Sequence, residues 1–289
     1  MLRGLYTAAA GLTAQQRRHD TVTNNISNIN TPGYKQTNAV TRSFPDTLLS
    51  MTGVQGEPSK SIGRLGMGVF AEESLSLHVQ GDLSQTDKST DFALVSNIAV
   101  EGAAFDESGK YVADDGTVTF QPQAFFTLQD AQGDLRYTRG GSFTLTADGF
   151  LVNGDGANVL GADGNPIQFA AGIGLEQLSL TKDLRFVNSQ TGVDSGVQPL
   201  LVTRINEPNQ LVRAGDGQFR FNGDAAQAVA LQGTDQVEVK QGYVERSNVD
   251  AAQSSVDLMA ALRAYEANQK VVQFYDQSLE KAVTEVGRV

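Results

Sequence analysis

The chain has 289 residues, a formal net charge of −11 and no cysteine. The lack of cysteine excludes disulfides, thiolate metal sites and a cysteine nucleophile, and no apolar run reaches the roughly 18 to 20 residues that a membrane span needs. Residues 1–42 carry five Lys or Arg against one acid and residues 240–289 carry six against seven, so a net charge of −14 falls on residues 43–239. This acidic middle argues against a nucleic-acid ligand, because phosphate binding needs a basic face.

The first predicted element is a helix over residues 4–28. It is rich in Ala, Leu, Gln and Arg, which favour helix, and it ends in a cluster of Asn, Ser and Thr, which do not. Apolar or small residues follow a seven-residue repeat at Leu5, Ala8, Leu12, Val22, Ile26 and Ile29. Such a repeat places one apolar stripe along a helix, and the stripe needs a partner. His19 falls on this stripe, where we expect a helix contact rather than catalysis.

The residues after the helix predict a turn and then extended chain. Pro32 fixes its own φ and disfavours helix at Thr31, so Asn30–Tyr34 is interpreted as a turn. A short helical turn is predicted over Pro45–Ser50. Residues 41–90 are interpreted as an extended connector with short strands, one of them in the alternating run Ser74–Gln80.

Residues 91–240 are predicted to form an all-β outer domain. Short alternating runs separated by Gly-bearing turns are typical of sandwiches and barrels. The predicted strands are Ala124–Leu128, Leu135–Thr138, Ser142–Thr146, Phe150–Val152, Ile167–Phe169, Leu178–Leu180, Pro199–Arg204, Gln218–Phe221 and Val237–Val239. Hairpin turns explain Asp155-Gly156 and Asp163-Gly164, since the ligand spacing of a calcium loop is missing.

A second helix is predicted from about Val249 to Thr284, with Ser247-Asn248 as its start and Asp250 in its first turn. It repeats the seven-residue spacing at Ala251, Leu258, Tyr265, Val272, Leu279 and Val286, supported by Leu262 and Val283. The predicted fold class is therefore α+β, with an all-β centre carried on paired N- and C-terminal helices of coiled-coil type. Residues 1–40 and 241–289 would together form one helical assembly domain.

Several longer motifs support a family assignment. They are GLYTAA at residues 4–9, NNISN at 24–28, NTPGYK at 30–35, GMGV at 66–69, QGDL at 80–83, DFAL at 91–94, YTRGGSF at 137–143, QGYVERSNVD at 241–250 and LRAYEANQKV at 262–271. In this order they resemble bacterial flagellar rod and hook proteins, and the rod-type members most. The chain departs from that pattern by an insertion of about 25 residues near 97–123.

The resemblance implies a structural, self-assembling subunit of the flagellar basal-body rod, part of the axial drive shaft between motor and hook. It implies export through the flagellar type III apparatus without a cleaved signal peptide, although residues 1–14 superficially resemble one. The implied partners are copies of the chain and other rod and hook proteins, with no cofactor, metal, nucleic acid or small-molecule substrate. An isolated helix is marginal in water, so we expect the ends to order on polymerisation.

The expected assembly interface combines the two stripes with the turn that follows the first helix, where Asn side chains would satisfy the last backbone groups. Its residues are Leu5, Leu12, Val22, Asn24, Asn25, Ile26, Pro32, Gly33, Tyr34, Leu258, Leu262, Tyr265, Glu266, Asn268, Val272 and Leu279.

Two other classes of protein share parts of this pattern. A β-rich adhesin on a helical stalk would need a cleaved signal peptide. A hydrolase of cell-wall polymer would need two placed carboxylates in a cleft, whereas the acids of the middle are explained by a solvated surface. Neither His19 nor His78 lies near a nucleophile-elbow sequence, so no catalytic residue is predicted.

Overall fold

The computed structural model describes residues 2–51, 60–100, 102–106, 109–170, 173–231 and 235–287. Contacts divide the chain into two compact units. The first unit combines Met1–Ser27, Thr37–Leu75 and Asp250–Val289, and the second combines Asn28–Gln36 with Ser76–Val249.

Two long helices dominate the first unit. Helix α1 spans Leu2–Ser27 and helix α2 spans Ala251–Lys281, followed by a π-helical turn at Ala282–Val286. Asp250 caps α2, because its carboxylate accepts hydrogen bonds from the backbone nitrogens of Ala252 and Gln253. Such a cap satisfies donors that the first turn of a helix leaves unpaired.

The first unit also carries short antiparallel strands. They are β1 (Thr37–Asn38), β2 (Thr41–Ser43), β3 (Thr47–Met51), β4 (Lys60–Leu65) and β5 (Val69–Ala71). Strand β2 pairs with β5, and β3 pairs with β4. Helix α1 packs against α2, β5 and β1.

The second unit holds most strands, and β6 (Leu75–Ser76) lies at the point where the chain enters it. The remaining strands are β7 (Leu83–Gln85), β8 (Phe92–Ser96), β9 (Lys110–Val112), β10 (Val118–Phe120), β11 (Gln123–Gln129), β12 (Leu135–Thr138), β13 (Phe143–Leu145), β14 (Leu151–Asn153), β15 (Asn158–Val159), β16 (Leu178–Leu180), β17 (Phe186–Asn188), β18 (Val202–Ile205), β19 (Leu211–Gly215), β20 (Gln218–Phe221), β21 (Ala228–Ala230), β22 (Val237–Gln241) and β23 (Tyr243–Glu245). Single 3-10 turns lie at Leu175–Gln177, Pro208–Gln210 and Ala225–Gln227.

A nine-stranded antiparallel sheet organises this unit. Its order is β13-β14-β15-β11-β12-β20-β19, and β18 joins both β11 and β21. Strand β11 is buried on both faces because its alternate side chains enter two clusters. Phe126 and Leu128 belong to the larger cluster, whereas Phe125 lies in a smaller one with Ile205 and Phe219.

The C-terminal part of the second unit completes strand pairs that begin far earlier in the chain. Strand β22 pairs with β8, and β23 pairs with β7. Phe92 and Leu94 of β8 are fully buried in the larger cluster. The core therefore depends on residues that precede the nine-stranded sheet in the sequence and on residues that follow it.

The expected α+β class, with strands between two terminal helices, is confirmed, while the coiled-coil type of helix pairing stays a prediction. The helical turn predicted over Pro45–Ser50 is wrong, because Leu48 and Leu49 pair with Arg64 and Gly63 as part of β3. Cross-strand hydrogen bonds override a weak local preference there.

Three further boundaries differ from expectation. Ser247-Asn248 does not start α2, because the capping role falls to Asp250. Of the run Ser74–Gln80 only Leu75–Ser76 is strand, and Ile167–Phe169 forms only an isolated bridge between Gln168 and Phe150. The predicted insertion near 97–123 contains the hairpin of β9 and β10, while its residues 101, 107 and 108 lie outside the described residues.

Candidate assembly site

Helices α1 and α2 of the first unit meet in antiparallel orientation. Gly4 lies against the ring of Tyr275, Gly11 lies against the Asn268 amide, and a guanidinium nitrogen of Arg18 is 3.2 Å from a carboxylate oxygen of Asp257. Later residues of α1 thus contact earlier residues of α2. The two glycines are seven residues apart, as are Asn268 and Tyr275, so the contact follows the seven-residue repeat.

The face of α2 toward α1 carries small and polar residues. Ser254, Ala261, Asn268 and Tyr275 recur every seven residues, and Ser254 and Ala261 are buried although most of α2 is exposed. Of these four residues the predicted interface contains only Asn268, because an apolar repeat does not mark small or polar residues. Small residues at the same seven-residue spacing, together with Gly4 and Gly11, are the sequence signal that indicates a close approach of the two helices.

The predicted interface residues of α1 differ in burial. Val22 and Asn25 are buried, Leu5, Leu12 and Ile26 are half-buried, and Asn24 is exposed. On α2, Leu258, Tyr265, Asn268, Val272 and Leu279 are half-buried, whereas Leu262 and Glu266 are exposed. The side chain of Val286 lies outside the described residues. This half-buried state leaves part of each stripe available to another surface.

Helix α2 also exposes apolar residues outside its contact with α1. Val256, Met259, Val271 and Phe274 have relative exposures of 55, 52, 43 and 70%. With 3.6 residues per turn, Val256 and Met259 lie on the side away from Ser254 and Ala261, Phe274 lies about 100° from Tyr275, and Val271 lies next to Asn268 and Tyr275. Single exposed apolar residues are ordinary, but several left uncovered along one helix mark a surface suited to burial.

Asn25 joins the end of α1 to the strand that follows it in the same unit. Its amide nitrogen donates to the backbone oxygen of Thr37 at 2.8 Å, and its side-chain oxygen accepts from the Thr37 nitrogen at 3.0 Å. These bonds are directed to an extended segment rather than to the last carbonyls of the helix, where the sequence reasoning placed them. Asn25 therefore mimics a strand partner for Thr37.

The predicted turn residues Pro32, Gly33 and Tyr34 belong to the second unit. Pro32 is exposed, while Gly33 has φ +71° and its nitrogen donates to the backbone oxygen of Glu245 at 2.8 Å. A Cβ atom at Gly33 would overlap the backbone of Gly140, so glycine is required both by its conformation and by the close approach.

Tyr34 is buried beneath a cation. The guanidinium carbon of Arg213 stands 4.4 Å from the centre of its ring, and Arg213 also donates to the backbone oxygen of Lys35. On the other side of this segment the Gln36 nitrogen donates to the side-chain oxygen of Asn248 at 2.6 Å. These bonds fix residues 33–36 beside residues 245–248 within the second unit.

Next to this turn lies a fully buried ionic cluster. The ammonium nitrogen of Lys35 is 2.6 Å from Oε1 of Glu245, and Nε of Arg139 is 2.9 Å from Oε2 of the same carboxylate. None of the three side chains is exposed to solvent. The backbone nitrogen of Gly81 adds a further bond to Oε1 at 2.8 Å. All three residues stand in the motifs that resemble rod and hook proteins, but the sequence predicts no role for them.

Burial shifts the titration of this cluster. It lowers the pKa of Lys35 to about 8, assisted by the charge of Arg139 and opposed by Glu245. Burial raises the pKa of Glu245, but the charges of Arg139 and Lys35 outweigh it and leave that pKa below its usual value. His78 packs edge-on against Phe125 and Phe219, and burial together with nearby cations lowers its pKa to about 3.

Within the residues that the structure describes, no helix has both the length and the apolar character that a membrane span requires. The described part of the chain also shows no grouping of three or more His, Asp or Glu suited to a metal ion.

Three protein-family models match the chain. They are the flagella basal body rod protein model at residues 5–35, the flagellar hook protein FlgE/F/G D1 domain at 121–190 and the flagellar basal body rod FlgEFG protein C-terminal model at 240–285. The first and last contain α1 and α2 almost entirely, and the D1 match begins at residue 121, at the end of the predicted insertion.

Relatives match over almost the whole length. The flagellar hook-basal body complex protein FlhO of Bacillus subtilis is 32% identical and covers 100% of both chains. The flagellar basal-body rod protein FlgG of Borreliella burgdorferi is 30% identical over 96% of this chain and 97% of its own. FlgG of Agrobacterium fabrum is 29% identical over 96% of each chain.

Proposed function

The chain belongs to the flagellar basal-body rod family, and we propose that it is a structural rod subunit that polymerises through its terminal helices into part of the axial drive shaft. The family match and the full-length relatives support the rod assignment. Residues 1–40 and 241–289 would act as the assembly domain, residues 41–90 as the connector and residues 91–240 as the outer domain.

One observation carries the assembly mechanism. Helix α2 has a face of small and polar residues occupied by α1, and outside that contact Val256, Met259, Val271 and Phe274 are exposed. Burying apolar surface stabilises by about 25 cal/mol per Å². The assembly is therefore stabilised when a second copy of the chain, or another axial protein, covers these residues. Head-to-tail contacts that do not close a ring generate a helical tube.

The half-buried stripe residues extend the same interface. Leu5, Leu12 and Ile26 on α1 and Leu258, Tyr265, Val272 and Leu279 on α2 keep part of their surface accessible, and we assign that part to neighbouring subunits. Packing of coiled-coil type within and between chains fits the seven-residue spacing. The segment from Asn24 to Tyr34 sets the direction of the chain after α1.

Substitution on the exposed face tests this function. We expect Phe274→Glu to prevent incorporation into hook-basal bodies while the purified chain keeps its strand content. Gln269→Glu introduces the same charge at an exposed position about 140° around the helix from Phe274 and serves as the matched control. Normal incorporation of the Phe274→Glu chain would contradict the assigned face.

The route to the rod follows from the role of the first residues. Gly4 contacts Tyr275 of α2, so removal of a signal peptide at the small residues near Ala8–Ala10 would remove this end of the helix contact. Export through the flagellar type III apparatus without cleavage is consistent with this requirement. Mass spectrometry of the protein from isolated basal bodies tests it, since a shortened N-terminus would contradict uncleaved export.

We propose no catalytic role for the chain. His78 is buried between two aromatic rings, where it cannot reach a substrate, and the charged side chains of Lys35, Arg139 and Glu245 are fully buried against one another. Assay of the purified protein on cell-wall polymer is the direct test. Lysis that is lost when acidic residues are substituted would favour the hydrolase alternative.

A further inference from the structure

The buried ionic cluster joins three distant parts of the chain inside the second unit. Lys35 precedes the strands of that unit, Arg139 follows β12, and Glu245 ends β23. The pairs Lys35–Glu245 and Arg139–Glu245 span 210 and 106 residues of sequence. Their carboxylate is thus supplied by a segment that lies more than 100 residues after Arg139.

Glu245 is the only acid that the described ion pairs give to these two cations. The other bonds of Arg139 reach neutral oxygens, at 2.8 Å to the backbone of Ala124, 3.3 Å to the backbone of Leu94 and 3.0 Å to the Ser96 hydroxyl. Lys35 likewise donates to the backbone oxygen of Val79 at 2.7 Å. Without Glu245 the unit would bury two cations that have hydrogen bonds but no countercharge.

Arg139 cannot move to solvent while the core is closed. Its partners Leu94 and Ala124 lie on β8 and β11, and both residues are fully buried in the larger hydrophobic cluster. Removing one member of a buried ion pair is strongly destabilising, because an uncompensated charge then remains in a medium of low polarity. Closure of β8 onto β11 is therefore linked to the arrival of a carboxylate.

The segment that brings this carboxylate also brings backbone partners. Strand β22 pairs with β8 along five residues, from Gln241 opposite Phe92 to Val237 opposite Ser96. Strand β23 pairs with β7, placing Glu245 opposite Leu83. Residues 237–245 thus supply both the countercharge and the strand partners for the same edge of the core. The strand pairing is a second and independent link between this segment and closure of the core.

We propose that the Lys35–Arg139–Glu245 cluster is a folding-order device, in which the second unit closes its core only once Glu245 has docked. Until residues 237–245 are available, Arg139 and Lys35 stay hydrated and the core edge stays open. The inference concerns how the chain folds and stands apart from the assembly mechanism. For a chain that crosses an export channel, it would delay folding until nearly the whole sequence has been delivered.

Refolding kinetics of the full-length chain test this order. The variant is Glu245→Gln, which removes the charge and keeps the shape, and the control is Glu238→Gln, a Glu on β22 whose side chain is 63% exposed. Closure of the core is followed by pulsed hydrogen exchange at the amides of β11 after dilution from urea. A contact formed in the transition state lowers the folding rate when it is removed, whereas a late contact raises the unfolding rate.

We expect Glu245→Gln to slow protection of β11 at least tenfold, while Glu238→Gln stays within twofold of the unmodified chain. Protection at the unmodified rate, with faster unfolding only, would overturn the proposal. If Glu245→Gln does not fold, the charge-free variant Lys35→Met/Arg139→Met/Glu245→Leu decides. Recovery of a protected β11 supports the role of uncompensated charge, and continued failure to fold overturns it.

Discussion

Tyr275 lies directly against Gly4, so closely that a Cβ atom at Gly4 would overlap the tyrosine hydroxyl and part of its ring. The aromatic ring of α2 is thus seated on bare backbone of α1. Seven residues along, Gly11 receives Asn268 in a similar way, with a Cβ atom there standing 3.0 Å from the amide nitrogen. These two seats define how near the helices of the first unit approach each other.

Gly4→Val should therefore exclude the chain from the rod. The added side chain displaces Tyr275 and separates the ends of the helices, because neither the tyrosine ring nor the helix backbone can yield easily. Incorporation into hook-basal bodies is measured in cells that also make the unmodified protein, so that the two chains compete.

The control is Gly174→Val, at a position of extended backbone where nothing lies within 4 Å of an added Cβ. Combining Gly4→Val with Tyr275→Ala should restore part of the incorporation, because space is returned to the contact. Equal incorporation of Gly4→Val and Gly174→Val chains would show that the seat is not needed.

Leu12→Asp should abolish incorporation while the second unit remains folded. The side chain is half-buried on α1, and burying an unpaired carboxylate at a helix interface is costly. Thr13→Asp, at the exposed neighbouring position, controls for charge and helix propensity. Limited proteolysis checks the second unit, and normal assembly of the Leu12→Asp chain would refute the packing of this stripe.

The shift of Lys35 predicts that stability rises with pH above about 8. Its pKa is about 8 when folded against 10.5 as the ordinary value, so the unfolded chain binds more protons between these pH values and folding gains as pH increases. The full effect of such a difference is about 3 kcal/mol. Urea unfolding followed by circular dichroism between pH 7.5 and 10 measures it.

Lys35→Met should lack this rise, whereas Lys270→Met, at an exposed position of α2, should keep it. A Lys35→Met chain with the same pH slope as the unmodified protein would place the titrating group elsewhere.

His78 predicts the same direction of pH dependence in the acid range, where stability also rises with pH. Its pKa falls to about 3 through burial and the charges of Lys35, Arg139 and Arg213, so below pH 6.5 the unfolded chain takes up a proton that the folded chain refuses. Stability contributed by this group declines as pH falls, by about 3 kcal/mol between pH 6.5 and 4. His78→Gln should flatten the decline in urea unfolding experiments, and an unchanged slope would count against it.

The terminal helices could be predicted from sequence because a seven-residue repeat is a local signal: a helix places residues seven positions apart on the same side. Strands such as β11, β12 and β20 were predictable for the same reason, since alternation and Gly-bearing turns lie within a few residues. The error over Pro45–Ser50 shows the limit of local signals, because Leu48 and Leu49 are held as strand by pairing with β4.

The inner row of α2 and the ionic cluster were not predictable in this way. Ser254 and Ala261 are small, so an apolar stripe search passes over them although they are more buried than Leu258. Lys35, Arg139 and Glu245 are brought together over 106 and 210 residues of chain. Charged residues are presumed exposed when read one at a time, and only the fold reveals that these three compensate each other.

The most direct measurement of assembly through the face of α2 that carries Phe274 uses the absence of cysteine from the chain. A single Phe274→Cys substitution gives a unique thiol at a position with 70% exposure, and its rate of alkylation is compared between purified protein and isolated hook-basal bodies that contain it. We predict rapid labelling of the purified chain and at least tenfold slower labelling after assembly. Equal labelling in both states would show that this face stays open in the rod and would contradict the proposed mechanism.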